Sequence, residues 1–148
     1  MPLAYDEARQ AAVQYIGLSK NRSSGKVRAR LAHLGTDRST IDAVIAYLQE
    51  IDYLDDFRAA RAILRKHVRA RAKSRHMLRA LLRAQGIPDD VASQSLQEGP
   101  DDEARALDLI SSLYPEGDAE SIIYKKLLSR GFHPDLSAAL AARHNRRY

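Results

Sequence analysis

A pattern returns three times along this chain: an apolar residue, three residues, Leu, three residues, Gly, and then an apolar residue shortly after. It reads Val27, Leu31, Gly35 and Ile41, then Leu78, Leu82, Gly86 and Val91, then Ile123, Leu127, Gly131 and Leu136. Residues four apart share one face of a helix, and a glycine at the end of such a helix takes the left-handed conformation at little cost. The glycines lie 51 and 45 residues apart, so each copy is a unit of its own rather than a stretch of one helix. Repeats of this length imply helical units that stack on their neighbours. On this reading the first copy carries one extra residue between Gly35 and Ile41.

A chain of 148 residues holds one ordinary domain or a short array. It has no cysteine, which excludes disulfide staples and thiolate metal sites and points to a reducing cytoplasm. No apolar run reaches membrane-spanning length, and the opening residues lack a signal-peptide core. With no tryptophan and two phenylalanines, the expected core is thin and helical.

Helical periodicity with capping signals predicts nine helices in three groups. The first group covers about 5–18, a helix capped by Ser23 or Ser24 that ends near Leu34, and about 39–51 with the stripe Ile41, Val44, Ile45, Leu48 and Ile51. The second opens at Tyr53-Leu54-Asp55-Asp56, an apolar pair followed by capping aspartates, and its first helix is expected over about 56–72. A helix capped by Ser74 then runs to Gly86, and one from Pro88 to Glu98. Glu98-Gly99-Pro100 reads as a boundary with hinge character, followed by helices at about 101–113, 118–130 and 134–144. The expectation is an all-α chain of three tandem three-helix repeats, residues 1–52, 53–99 and 100–148, in an elongated, curved array.

The net charge of +5 conceals an asymmetry. Residues 57–88 contain no Asp or Glu but ten of the 24 basic residues, leaving 14 basic against 19 acidic elsewhere. Arg58, Arg61, Arg65, Lys66, Arg69 and Lys73 share one side of the expected 56–72 helix, and Arg75, Arg79 and Arg83 follow on the next. A solvated helix mixes signs to gain i,i+4 pairs, whereas these cations repel one another. That cost suggests an anionic partner, and the excess of Arg over Lys favours bidentate contacts to carboxylate or phosphate. These nine residues are the candidate binding residues.

Nothing argues for catalysis. Gly25-Lys26 lacks the upstream glycine and following Ser/Thr of a phosphate loop. The five histidines show no zinc-type spacing, and Asp55 and Asp56 are explained as helix caps rather than metal ligands. No catalytic residue, metal or cofactor is assigned. Gly35, Gly86 and Gly131 are read as helix stops, and Tyr53 with Leu54 as a staple between repeats.

With its punctuation laid out, the chain resembles the RecX family of bacterial RecA regulators. The segments that carry the resemblance are Gly25-Lys26-Val27-Arg28-Ala29-Arg30-Leu31 with Gly35, Ile41 to Leu48, Tyr53-Leu54-Asp55-Asp56, Arg79 to Ile87, and Leu127-Leu128-Ser129-Arg130-Gly131-Phe132. The chain departs from the family pattern at Ala59, where an aromatic is usual, at Ser74-Arg75, where Gly-Pro is, and in the acidity of Asp101, Asp102, Glu103 and Asp108. The resemblance implies a negative regulator that lodges in the groove of the RecA–single-stranded-DNA filament and inhibits its recombinase, ATPase and coprotease activities, and the chain is expected to be a monomer. It further implies RecA as partner, with weak binding to single- or double-stranded DNA and no membrane. A different class of function fits the same cations, a helical protein that binds DNA directly and without sequence preference.

Overall fold

The left-handed backbone that a helix-ending glycine permits is present at all three repeat positions, with φ of 84° at Gly35, 82° at Gly86 and 86° at Gly131. In the computed structural model, which describes residues 2–146, each of these glycines lies two positions after the end of a ten-residue helix. The helices are α1 (Tyr5–Ile16), α2 (Ser24–His33), α3 (Arg38–Glu50), α4 (Asp56–Leu64), α5 (Arg75–Ala84), α6 (Asp89–Glu98), α7 (Asp102–Leu113), α8 (Glu120–Ser129) and α9 (Pro134–Asn145). A single 3-10 turn covers Arg69–Arg71, and no strand occurs among the described residues. The fold is all-α.

The register of the repeat differs from the sequence reading in one respect. Helices α3, α6 and α9 each begin three residues after the preceding glycine, and the residue three further on is buried in every case: Ile41, Ala92 and Ser137. The first copy therefore has no extra residue. Val91 and Leu136 are only half-buried, because the fully enclosed site is filled by a small side chain in the later copies.

The expected helix over 56–72 stops at Leu64. Lys66 and His67 close it with short bonds to the Ile63 and Leu64 carbonyls, and the chain then leaves the helical path, with Arg69 at φ 55°. No Gly or Pro marks the break, so other groups must hold it. The Asp108 carboxylate takes the Arg69 N–H at 2.6 Å, and Arg130 Nη1 donates to the Ala70 and Ala72 carbonyls at 2.8 and 3.2 Å. These bonds replace those a continuing helix would have made. Val68 is 47% exposed there.

Two compact units emerge, Met1–Ala62 with Leu82–Ala92, and Ile63–Leu81 with Ser93–Tyr148. The first is built on Ala8, Ala12 and Ile16 of α1, Val27 and Leu31 of α2, and Ile41, Val44, Ile45 and Leu48 of α3, closed by Leu54. The second encloses Ala106, Leu109 and Ile110 of α7, Ile123 and Leu127 of α8, and Leu140 and Ala141 of α9, with Ala72 and Phe132.

Each unit contains the same junction between helix ends. In the first, Ser23 caps α2 by accepting the Lys26 N–H, and its hydroxyl donates to the Gln85 carbonyl at 2.7 Å. The Gly25 N–H donates to the Gly86 carbonyl at 3.1 Å, and the backbones approach so closely that a Cβ on Gly25 would overlap that carbonyl. In the second, Ser74 caps α5 by accepting the Met77 N–H, and its own N–H donates to the Arg130 carbonyl at 2.9 Å. An aspartate completes each: Asp56 accepts the Ser24 N–H at 2.7 Å, and Asp102 accepts the Arg75 N–H at 2.8 Å. A helix N-terminus, rich in unpaired N–H groups, thus meets a glycine-ended C-terminus rich in unpaired carbonyls.

The glycines are not equivalent under substitution. A Cβ at Gly86 would lie 2.6 Å from Ser23 Oγ, and one at Gly131 2.5 Å from Ser74 Oγ, whereas Gly35 faces open space. Gly35→Ala should cost only the backbone strain, about 1 kcal/mol. Gly86→Ala and Gly131→Ala must also displace the serines and should cost roughly 2–4 kcal/mol. Urea denaturation of the three variants checks this; equal losses would remove the junction from the account.

Candidate functional site

The segment from Arg65 to Lys73 in the second unit gathers the densest run of cations on the least regular backbone. Its conformation is fixed from beneath. Ala72 is buried in the core, Asp108 holds the Arg69 N–H, and Arg130 holds two carbonyls. The left-handed Arg69 costs about 1 kcal/mol for a side chain with a Cβ, and the short bond from its N–H to a carboxylate offsets that cost. With the backbone pinned, the side chains of Arg65, Lys66, Arg69 and Arg71 stand exposed.

The local field shows in the two groups that titrate beside it. Lys73 Nζ lies 3.0 Å from His67 Nδ1. Since the ammonium can only donate, the imidazole accepts at Nδ1 and keeps its proton on Nε2. The His67 pKa is lowered, first by partial burial, then by Lys73, Arg71 and Lys66. The Lys73 pKa is lowered too, by burial and then by Arg130 and Arg71. Removal from water and neighbouring positive charge both disfavour another proton here. Such a surface attracts a polyanion.

The other candidate cations are placed differently. Arg58 is spent on the fold of the first unit, with Nε donating to the Lys20 carbonyl at 2.9 Å and Nη1 and Nη2 to the side chain and carbonyl of Asp52 at 3.3 and 3.2 Å. Arg61 lies exposed on α4 in that unit, and Arg83 pairs with Asp89 at 2.9 Å. In the second unit Arg75 donates from Nη2 to the Gly99 carbonyl at 3.0 Å, and Arg105 donates from Nε to the Pro100 carbonyl at 3.0 Å. The Gly99-Pro100 boundary is thereby braced by two guanidinium groups. Arg79 lies exposed on α5. The nine residues therefore do not form one helical stripe: Arg65, Lys66, Arg69 and Lys73 are brought together on the pinned segment, and the rest are apart or engaged.

The residues read as structural occupy distinct positions. Asp55 accepts the Phe57 and Arg58 N–H groups, Asp56 bonds both the N–H and the hydroxyl of Ser24, Leu54 is buried, and the Tyr53 hydroxyl donates to the Gly17 carbonyl. Sequence reasoning missed that Asp101-Asp102 is a second such pair. Asp101 caps α7 through the Ala104 N–H as Asp55 caps α4, and Asp102 serves Arg75 as Asp56 serves Ser24. The 46-residue offset between the pairs, close to the glycine spacing, is the signal that could have found it. The remaining acids there are engaged as well, Glu103 with Arg143 at 3.0 Å and Asp108 with the Arg69 backbone. Among the described residues no three His, Cys, Asp or Glu side chains come together to hold a metal ion, and no helix is long and apolar enough to cross a membrane.

No protein-family model matches the chain. It is 31% identical over 131 residues to the regulatory protein RecX of Prosthecochloris aestuarii, covering 85% of each chain. It is 29% identical over 133 residues to the regulatory protein RecX of Treponema pallidum, covering 88% of this chain and 80% of that one. The crystal structure of RecX from Lactobacillus salivarius has the same fold, with a TM-score of 0.77 over 97% of both chains at 19% identity.

His67 should titrate below the ordinary histidine value of about 6.5, and Lys73→Met should move it upward by removing a neighbouring positive charge. Because the folded pKa is depressed, the unfolded chain binds the proton first as pH falls, so stability is lost between about 6.5 and the folded value. Proton-detected titration of the His67 ring, with melting curves over the same range, tests both statements. A ring that titrates at or above 6.5 would refute the assigned field.

Proposed function

The chain belongs to the RecX family of regulatory proteins, and on that premise we propose that it is a negative regulator of RecA. It lodges in the groove of the RecA–single-stranded-DNA filament and lowers the recombinase, ATPase and coprotease activities. The helices act as three tandem three-helix repeats, residues 1–52, 53–99 and 100–148, that present an extended surface to more than one RecA subunit, so that weak contacts add through effective concentration. The observation that carries this reading is the pinned segment of the second unit, which holds the exposed side chains of Arg65, Lys66, Arg69 and Arg71 on a fixed backbone. Guanidinium groups held this way lose little freedom on meeting carboxylate or phosphate oxygens. Arg61 and Arg79 are further contacts, while Arg58, Arg75 and Arg83 support the fold that presents them.

The decisive experiment measures RecA ATPase on single-stranded DNA at physiological salt, with this protein well below one copy per RecA. Inhibition at those ratios supports a filament-directed regulator. Loss of inhibition when excess free DNA is added would turn the reading to a protein that binds DNA directly. The anchor is tested by Arg65→Ala, Lys66→Ala and Arg69→Gly together. The last substitution relieves a left-handed residue, so melting should be unchanged or raised by about 1 kcal/mol. Inhibition should weaken about tenfold or more, and the salt dependence of filament binding should flatten. A variant that inhibits as well as its parent would remove the segment from the binding surface.

A further inference from the structure

One contact beside the exposed arginines of the second unit exists in a single protonation state. Lys73 Nζ sits 3.0 Å from His67 Nδ1, and both side chains are partly buried. An ammonium has only hydrogens to give, so the contact requires a neutral imidazole whose Nδ1 lone pair is free. The charged groups that bear on His67 are all cations: Lys73, Arg71 and Lys66 of its own segment. Arg130, from the turn after α8, bears on Lys73 and bonds the Ala70 and Ala72 carbonyls. Asp108, which α7 places against the segment, has its carboxylate on the Arg69 N–H. In the free protein a proton on Nδ1 would break the Lys73 contact and add one more positive charge to a crowded set.

On the premise that this segment is the anion-binding surface, we propose that a single strand of nucleic acid docks on it with uptake of one proton at His67, and that Lys73 then leaves the imidazole for a phosphate. Arg65, Lys66, Arg69 and Arg71 are exposed within one short stretch. A partner for all of them needs several fixed negative charges in a row, and a phosphodiester strand carries one per nucleotide. Laid against the segment, the strand offsets the positive field that keeps His67 neutral, and solvent supplies the proton to Nδ1. The imidazolium then presents a donor to an ammonium and repels it. Lys73 keeps one longer tether, the Arg71 carbonyl at 3.3 Å, and its remaining hydrogens turn to a phosphate oxygen. One proton thus adds two cations to the surface, the imidazolium and the freed ammonium. Since the bound state holds the extra proton, binding tightens as pH falls between the titration points of the free and the occupied site.

The test is binding of a short oligothymidylate to the full chain, because neither its bases nor its diesters titrate near neutrality. Affinity should rise about five- to tenfold from about pH 7.5 to about pH 5.5. The slope of log affinity against log salt should steepen by about 0.7–1.4 at the lower pH, as one or two added phosphate contacts imply. His67→Gln, whose amide oxygen accepts from Lys73 without titrating, should bind the strand with neither dependence on pH. In the parent, the His67 ring should titrate higher with the strand than without it, a measurement that needs no variant to fold. The inference is overturned if folded His67→Gln keeps the parent's pH dependence, or if the strand leaves the ring's titration where it was. Arg65→Ala with Arg69→Gly separates the surface from the proton. Strand binding that ignores this pair removes the segment from the surface and the proton uptake with it. Binding that the pair weakens, but that stays flat with pH in the parent, overturns the proton uptake alone.

Discussion

The structure depends on the way one helix begins on the end of another. Helices of ten residues are too short to be stable alone in water, and each leaves unpaired N–H groups at one end and carbonyls at the other. At Ser23 with Gly86, and again at Ser74 with Gly131, those opposite deficits meet. The serine satisfies its own helix and touches the next, the left-handed glycine turns its carbonyls outward, and the macrodipoles run head to tail. Apolar packing then needs to supply less. Val27 and Leu31 in one unit, and Ile123 and Leu127 in the other, are fully buried beside further Ile, Val and Leu side chains and a few alanines.

That economy bears on function. The irregular parts of the chain are held in place by hydrogen bonds to the backbone, and the basic segment is the clearest case. Asp108 and Arg130 replace the helical bonds that residues 65–73 forgo. Four exposed cationic side chains are thereby carried on a non-helical path, and the depressed pKa of Lys73 reflects both its partial burial and the positive charge around it.

Much of this was legible in the residues. Ser23, Ser74, Gly35, Gly86 and Gly131 mark helix ends through their own chemistry, so those boundaries could be read directly. The end of α4 could not, because nothing in Arg65-Lys66-His67-Val68 breaks a helix; the competing bonds come from Asp108 and Arg130, distant in sequence. The register after each glycine was misread for a related reason. Burial at Ala92 and Ser137 is set by the space available, and a search for large apolar residues passes over small ones. Of the candidate cations, charge and spacing alone could not separate Arg58, tied to Lys20 and Asp52, from Arg65, which is exposed.

The acidity of residues 101–108, which departs from the family pattern, makes sense in terms of where each carboxylate spends its acceptors. Asp101, Asp102 and Asp108 accept from backbone N–H groups of Ala104, Arg75 and Arg69. Had Asp108 instead taken a guanidinium, it would have consumed the donors that recognise a partner's oxygens. Bonded to the main chain, it fixes the position of Arg69 and leaves that side chain's five N–H donors available. Its negative charge still moderates the repulsion among the neighbouring cations, so the segment stays compact before any partner arrives. A basic surface of this kind needs acids close by, provided that they bind the backbone beneath the cations and not the cations themselves.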